Sequence, residues 1–536
     1  MARLDRPSFV DYTPVPLAFG TSGLRGLVVD LTDLEAYVNV AGALRYLLGQ
    51  GDVSAGGSVL LGGDLRPSTQ RIMRACAQAI VDTGLSVENA GMVPTPALVL
   101  HGIETQRASV MVTGSHIPFD RNGIKVGKSV GELLKSDEPG ILAEVARVRA
   151  AEYGKSAMDS AFDSHGMLRQ PAALPAVSTD AEQRYIKRYV SAFSPTALRG
   201  RRIAFYEHSA VGRELVPRIL RALGAEVVGA GRSETFVPLD TEAITDEQLE
   251  HLATLVREVE ASSGPVDAIV STDGDSDRPL VVAVRADRSL RFLPGDLLGA
   301  ITAEYLEADF AALPVTTNDG VDAHLSARGV AIEKTKVGSP YVVAALQLAT
   351  AAKRPVGWEA NGGFLVGGAM DLAHGPLGPL PTRDALLPIV ANLAAALGGL
   401  DDHWSCLPPR FGRAGLMDAV APAVSAQLHA TLVRVGDVVQ VDFRDAPEAW
   451  RETKALLEQH FHDGHGFGAV VRLDVRDGVR AYFDNGDVVH IRASGNAPQL
   501  RVYAIAGTQA RADAIVAASL AEPDGIIRRM LAGLGK

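Results

Sequence analysis

The sequence predicts an α/β protein of several domains: three similar mixed α/β units followed by a smaller C-terminal α+β unit. Three observations predict it. The chain has 536 residues, too many for one hydrophobic core. Through its first three quarters, strand-like apolar runs alternate with helix-like ones, a rhythm that gives mixed or parallel sheets covered by helices. Beyond residue 409 the runs become short and closely spaced before a last helix, the mark of an antiparallel sheet.

Taken in order, Val59–Gly63 reads as a strand leading into a helix from Thr69 to Thr83, and Ser109–Val112 as a strand ending in a loop. Ser156–Asp180, rich in Ala, Ser, Pro and Asp with weak periodicity, reads as a linker. A helix follows over Ala181–Phe193, then strand Arg202–Phe205, helix Leu215–Leu223 and strands Ala225–Val228 and Val266–Val270. A break near Phe292–Gly295 precedes a helix over Asp296–Ala308, and another lies near Gly398–Pro409. The tail holds a strand near Val438–Phe443, a helix to His460, a strand over Ala469–Val475 and a final helix from Ala510. The expected domains are therefore 1–165, 178–294, 295–400 and 405–536.

Hydrophobic content of 47% with 21% charged residues is ordinary for a soluble globular protein. No stretch approaches the ~18 apolar residues of a membrane span, and MARLDRPSFVDYTPVP lacks the apolar core of a signal peptide. A net charge of −11 argues against nucleic-acid or anionic-membrane partners. Two cysteines, Cys76 and Cys406, make no disulfide framework and fit a reducing compartment. A cytoplasmic protein is expected.

The most informative segment is TDGDSDRPL, where Asp273, Asp275 and Asp277 alternate directly after a strand. Alternate side chains of an extended loop point the same way, and three carboxylates on one side repel unless a cation lies between them. All-oxygen ligands select a hard ion, and a site that also meets phosphate suits Mg²⁺. An EF-hand is excluded, since its sixth and twelfth positions hold Arg278 and Val284 rather than Gly and Glu. A solvated acidic turn and an aspartyl-nucleophile phosphatase stay open on this segment alone.

Other loops carry complementary chemistry. In Thr113-Gly114-Ser115-His116-Ile117-Pro118, a glycine turn and a stiff proline hold the Ser115 hydroxyl outward, with His116 and Lys125 near in sequence to offset charge on a seryl phosphate. Gly357-Trp358-Glu359-Ala360-Asn361-Gly362-Gly363 suits close approach to a polyhydroxylated ligand, with Glu359 accepting from vicinal hydroxyls and Asn361 donating and accepting. Arg492, Ser494, Gly495, Asn496 and Arg501, in RASGNAPQLR, offer donors for a phosphate monoester. Arg25, in FGTSGLRG, is another phosphate contact. Taken singly, each loop also reads as a plain turn or hairpin. His460, His462 and His465 match no zinc spacing and read as a turn.

Together these segments resemble the α-D-phosphohexomutase superfamily over nearly the whole chain: FGTSGLRG, the TGSHIP loop, DGDSDR, KTKVGSPYV, GWEANGG and RASGNAPQLRVY, with GGDLRPS and VPTPAL as lesser matches. The resemblance implies four domains around a central cleft, with one signature loop per domain. It implies Ser115 as the phosphoserine, with Ser115, Asp273, Asp275 and Asp277 binding Mg²⁺. It places His116, Lys125 and Arg278 around the transferring phosphoryl group, Glu359 on the sugar hydroxyls, and Arg492, Ser494, Gly495 and Arg501 on the non-reacting phosphate. The implied activity is a phosphohexomutase, an isomerase of carbohydrate metabolism. It interconverts hexose 1-phosphate and 6-phosphate, most like the phosphomannomutase branch, with a hexose 1,6-bisphosphate as activator. It is expected to act as a monomer or dimer.

Departures from the family pattern fall mostly in the substrate loops. Gly114, Ile117 and Ser276 replace the usual Ala, Asn and Gly; Asn361 and Gly363 stand where Ser and His are usual; Asn496-Ala497 replaces Thr-Glu. The first three are tolerable, whereas the changes at Asn361, Gly363 and Asn496-Ala497 bear on which sugar is taken, so glucose and glucosamine phosphates remain alternatives. A Ser-dependent phosphatase and a non-catalytic sugar-phosphate-binding protein are the rivals from other classes.

Overall fold

The computed structural model describes residues 9–20, 23–242, 244–396, 398–433, 438–446, 448–493 and 499–534. The chain divides into two compact units, residues 1–312 with 339–405, and residues 313–338 with 406–536.

The first unit contains three sheets. In the first sheet, Ser58–Gly63 lies parallel to both Ser86–Met92 and Ser109–Val112. Ser109–Val112 then pairs antiparallel with Arg121–Lys128, which pairs with Leu24–Leu27. Every side chain of Ser109–Val112 is buried, as a strand covered on both faces requires. The helices Asp33–Gln50 and Thr69–Asp82 supply cover. Thr32 caps the first of them by accepting the Glu35 N–H, and Gly51 closes it in the left-handed conformation.

In the second sheet the fully buried strand Ala268–Thr272 lies parallel to Arg202–His208 and antiparallel to Pro279–Val284. A capping box of Thr245 and Gln248 starts its helix Asp246–Ser263. In the third sheet Phe310–Pro314 lies parallel to Pro355–Trp358, which pairs antiparallel with Phe364–Val366 and through it with Leu380–Asp384. Each reactive loop therefore leaves the end of a buried strand, and a rigid scaffold fixes its position.

The second unit carries a six-stranded antiparallel sheet in the order Phe411–Met417, Leu500–Ala506, Val488–Ala493, Val479–Phe483, Val470–Asp474 and Gln440–Asp442. Its core includes Trp450, Phe461, Leu473, Val502 and Ile526. Among the described residues no helix is long and apolar enough to cross a membrane.

Two local expectations need correction. The helix Gln509–Leu520 is followed by another, Ile526–Gly533, which buries Ile526, Ile527 and Met530. The stretch 156–180 is packed rather than a free linker. Phe162 and Leu168 are buried and form a β-bridge, Ser164 and Gly166 accept backbone bonds from Asp11 and Leu34, and Ser178 donates to Asn89. Its backbone finds partners both within irregular turns of its own and in neighbouring segments, so no period shows in the sequence.

Two buried histidines make the fold acid-sensitive. His208 Nε2 lies 2.8 Å from the Thr272 carbonyl and His490 Nε2 2.6 Å from that of Asp477. Burial lowers them from 6.5 to about 4 and about 3. The unfolded chain takes up these protons near pH 6.5 and the folded chain does not, so the stabilisation is full above pH 6.5 and declines as pH falls toward those values. Each ring accounts for about 3 kcal/mol or more over its window. Melting temperature followed from pH 7 to 4.5 should fall, with a shallower slope in His208→Gln; a flat wild-type profile would contradict this.

Candidate active site

The acidic loop is a closed turn, not the extended segment its alternating pattern suggested. The Asp273 N–H donates to the Arg278 carbonyl, and Ser276 takes a left-handed conformation with φ 58°. The Asp273 carboxylate accepts the N–H groups of Asp277 and Arg278 at 3.1 and 3.2 Å. Ser276 Oγ accepts the Gly212 N–H at 2.9 Å. All three acids are fully or almost fully buried, and their carboxylate oxygens come within 4.8 Å of one another.

Ser115 sits against this cluster. Its Oγ donates to Asp273 Oδ2 at 2.6 Å and lies 3.4 Å from His116 Nδ1. The side chain is wholly buried and the backbone left-handed, φ 56°. Such strain costs about 1–3 kcal/mol in a non-glycine residue and persists only where neighbours over-determine it. Here they do. The Ser115 N–H donates to Thr113 Oγ1, while Arg66 donates to the carbonyls of Ser115, Ile117, Pro118 and Arg121. Arg66 is in turn bonded to Asp64 and lies 3.9 Å from the centre of the Phe236 ring. A Cβ on Gly114 would stand 2.6 Å from the Arg66 guanidinium carbon, so Gly at this position leaves room for the anchor.

Cations crowd the acids. Lys125 Nζ donates to Asp275 Oδ2 at 2.6 Å and Asp277 Oδ2 at 2.8 Å. Arg383 donates to Asp277 Oδ2 and, 2.9 Å away, to Glu359 Oε2. Arg278 Nη1 lies 2.9 Å from His116 Nδ1. Thr95 Oγ1 donates to Asp275 Oδ2 at 2.5 Å. Arg25 stands in the strand beside Gly123, and its Nη2 is buried without a hydrogen-bond partner.

The electrostatics follow this layout. Burial and the charges of Asp275 and Asp277 push the Asp273 carboxyl well above the usual range. Burial also works against ionised Asp277, but Arg383, Lys125 and Arg278 outweigh it and hold that acid down. Burial opposes the Lys125 ammonium, yet Asp275 and Asp277 overcome it and raise its pKa. His116 is driven well below 6.5 by burial and by Arg278 and Arg25. Burial, with Arg278 and Arg383, lowers Arg25 to about 10.

The cluster fits a hard divalent cation. Asp275 Oδ1 and Asp277 Oδ1 are buried and have no hydrogen-bond partner, while their Oδ2 atoms are taken by Lys125, Thr95 and Arg383. Two orphaned carboxylate oxygens beside Asp273 and a serine hydroxyl form an all-oxygen donor set suited to Mg²⁺. The other such grouping among the described residues, Glu88, His101 and Asp180, already has Glu88 ion-paired with Arg107.

Of the expected site residues, Ser115, His116, Lys125, Arg278, Arg25, Glu359 and the three aspartates converge in the first unit. Asn361 is used locally as well, its Oδ1 accepting the Gly363 N–H and its carbonyl the Thr241 hydroxyl. In the second unit Arg492 and Arg501 are paired across adjacent strands, and Arg492 Nε donates to Asp477 Oδ1 at 3.1 Å. Ser494, Gly495 and Asn496 lie outside the described residues. His462 Nδ1 accepts the Gly464 N–H in a short turn, and the three histidines form no candidate metal group among the described residues.

Sequence reasoning gave no role to Asp64, Arg66, Thr95 or Arg383. The first three lie within GGDLRPS and VPTPAL, whose charged and hydroxyl residues follow the strands Ser58–Gly63 and Ser86–Met92. The signal for Arg383 was the Thr-Arg-Asp triplet set directly before the apolar run ALLPIV.

Family models agree with this geometry segment by segment. Phosphoglucomutase/phosphomannomutase alpha/beta/alpha domains I, II and III match residues 16–152, 183–286 and 294–399, and the C-terminal domain of the same family matches 438–522. The chain belongs to the phosphoglucomutase/phosphomannomutase family. It is a hexose phosphate mutase, an isomerase. Similar relatives include a phosphomannomutase of Sinorhizobium fredii, 38% identical, with 94% of this chain and 98% of that one covered. One from Salmonella muenchen is 36% identical over 93% and 94%. A phosphoglucosamine mutase of Salinispora arenicola is 28% identical over 80% and 91%. A phosphoglucomutase/phosphomannomutase family protein of Burkholderia thailandensis shares the fold at a TM-score of 0.65 and 19% identity, covering 96% of this chain and 97% of its own. The open form of a Paramecium phosphoglucomutase gives 0.59 at 14%, over 97% and 94%.

Proposed function

We propose that this mutase moves phosphate between O1 and O6 of mannose through phosphorylated Ser115. The observation that carries the reading is the Ser115 hydroxyl buried against Asp273, within an acidic cluster ringed by Lys125, Arg278 and Arg383. Such an arrangement suits phosphoryl transfer, which is chiefly positioning and charge neutralisation.

In this account phosphorylated Ser115 gives its phosphoryl group to the free hydroxyl of a hexose monophosphate, producing a bisphosphorylated sugar. The sugar reverses its orientation and the other phosphate returns to Ser115. A hexose 1,6-bisphosphate charges the serine at the outset. Asp273, Asp275 and Asp277 would hold Mg²⁺ together with the seryl phosphate, and the ion supplies charge stabilisation on the phosphoryl oxygens. Lys125 is raised in pKa between two acids, so it serves as a fixed ammonium rather than a proton acceptor. Arg278 and His116 line the serine, and Arg25 has a free buried donor for a phosphate oxygen. Glu359 takes the sugar hydroxyls, with Asn361 shaping its loop. Arg492, Ser494, Gly495, Asn496 and Arg501 grip the phosphate that is not reacting.

The complete burial of Ser115 favours a mutase over a phosphatase, because water must be kept from the seryl phosphate. Mannose is favoured over glucose and glucosamine because the phosphomannomutases named above are 38% and 36% identical to this chain and the phosphoglucosamine mutase 28%. Phosphorus NMR of the protein with Mg²⁺, a trace of glucose 1,6-bisphosphate and either mannose 1-phosphate or glucose 1-phosphate tests both points. The 6-phosphate signal should grow without inorganic phosphate, and faster with mannose. Inorganic phosphate alone would mean a phosphatase, and a faster glucose reaction would reverse the sugar assignment.

A further inference from the structure

Arg383 joins two loops that the reaction needs, and its own support lies on the opposite face of its strand. Arg383 and Asp384 are neighbours at the end of Leu380–Asp384, so their side chains point to opposite faces. Arg383 reaches Asp277 and Glu359. Asp384, 1% exposed, accepts the hydroxyls of Tyr185 on one oxygen and Tyr189 on the other, and the Leu386 N–H at 3.0 Å.

The two tyrosines stand one helical turn apart on Asp180–Ala192, with rings edge-to-face at 5.3 Å. Tyr189 stacks on Phe193, which stacks on Tyr305, so the ring ladder fixes where the hydroxyls point. Burial and the Asp384 charge raise both phenols well above 10, which keeps them as donors. On the other face a Cβ at Gly363 would come within 2.5 Å of the Arg383 stem. The sugar loop thus closes directly onto the arginine.

We propose that Tyr185 and Tyr189 are positioning residues that clamp Asp384 and thereby set where Arg383 stands between the metal-loop and sugar-loop carboxylates. The clamp ties the helix preceding the second sheet to the strand that carries Arg383. A shift of the strand end by a fraction of an ångström would move Asp277 and Glu359 apart from a common partner. The kinetic consequence rests on the function proposed above, whereas the structural consequence does not.

The test is a cycle of variants in which only hydroxyls are removed. Tyr185→Phe/Tyr189→Phe should lower kcat/KM for mannose 1-phosphate about tenfold, chiefly by raising KM, because Glu359 loses its fixed position. In an Arg383→Lys background the same pair should change kcat/KM by less than about twofold, since the partner through which it acts is already altered. A second full tenfold loss in that background would overturn the proposal, as would an unchanged KM in the folded double variant. Tyr37→Phe, which removes a hydroxyl bonded to Asp82 elsewhere in the unit, controls for lost stability and should leave KM unaltered. If the double variant does not fold, Tyr189→Phe alone carries the cycle. A crystal structure of the variant supplies the readout that needs no activity. Arg383 should leave Asp277 or Glu359, and an arginine still bonded to both would overturn the clamp. A wild-type protein with no mutase turnover would refute the function instead, and the crystallographic result would still judge the clamp.

Discussion

Ser115→Ala is expected to lower mutase turnover by about 10⁴-fold or more while leaving the fold intact. Loss of a nucleophile on which every later step depends removes nearly all of the chemical rate. The substitution deletes one oxygen, bonded to Asp273 at 2.6 Å, and leaves the backbone bonds that hold the loop. Steady-state rates with mannose 1-phosphate, alongside a melting curve, check it. Residual activity above about 1% of wild type, on the scale expected for such a deletion, would mean another group accepts the phosphoryl group.

Arg66→Ala should produce the second largest effect, although Arg66 lies behind the serine rather than against the substrate. It donates to four carbonyls of the 115–121 loop and pairs with the buried Asp64. Removing it leaves Asp64 without its ion-pair partner, a change worth about 3–5 kcal/mol of stability. It also frees the left-handed Ser115 from its main restraint, and misplacement of a reacting atom by about 1 Å costs ~100-fold in rate. Gly114→Ala should act the same way more mildly, because the added methyl displaces the guanidinium it would touch. The rate of Ser115 phosphorylation from glucose 1,6-bisphosphate, measured with the melting temperature, separates the two consequences. A variant within threefold of the wild-type rate and with an unchanged melting temperature would contradict the role given to Arg66.

The contrast between these two residues shows what the sequence discloses. Ser115 and the three aspartates were legible as a candidate site only through the set of loops together, since each segment taken singly also reads as a turn. The alternating rhythm placed the strand Ser109–Val112 to the residue and the start of Arg202–His208, though not its last three residues, since period and burial are local properties. Arg66 and Arg383 were not legible as working parts, because an arginine's role depends on the loop it meets, here 49 and 106 residues away in the chain, and spacing does not encode that. The same holds for residues 156–180, which exchange hydrogen bonds with the distant Asp11, Leu34 and Asn89 as well as among themselves. The left-handed turns at Ser115 and Ser276 were equally hidden, since neither position carries the glycine that announces such a conformation.

The most direct test of the account is transfer from the serine itself. The protein is phosphorylated with glucose 1,6-bisphosphate, freed of sugar, and mixed with less than one equivalent of mannose 1-phosphate in the presence of Mg²⁺. Mass spectrometry then follows the peptide bearing Ser115. The account predicts phosphate on Ser115 before mixing, a transient fall in it matched by mannose 1,6-bisphosphate, and its return to Ser115 as mannose 6-phosphate forms. Phosphate found on another residue, or released from Ser115 as inorganic phosphate with no bisphosphate formed, would contradict it.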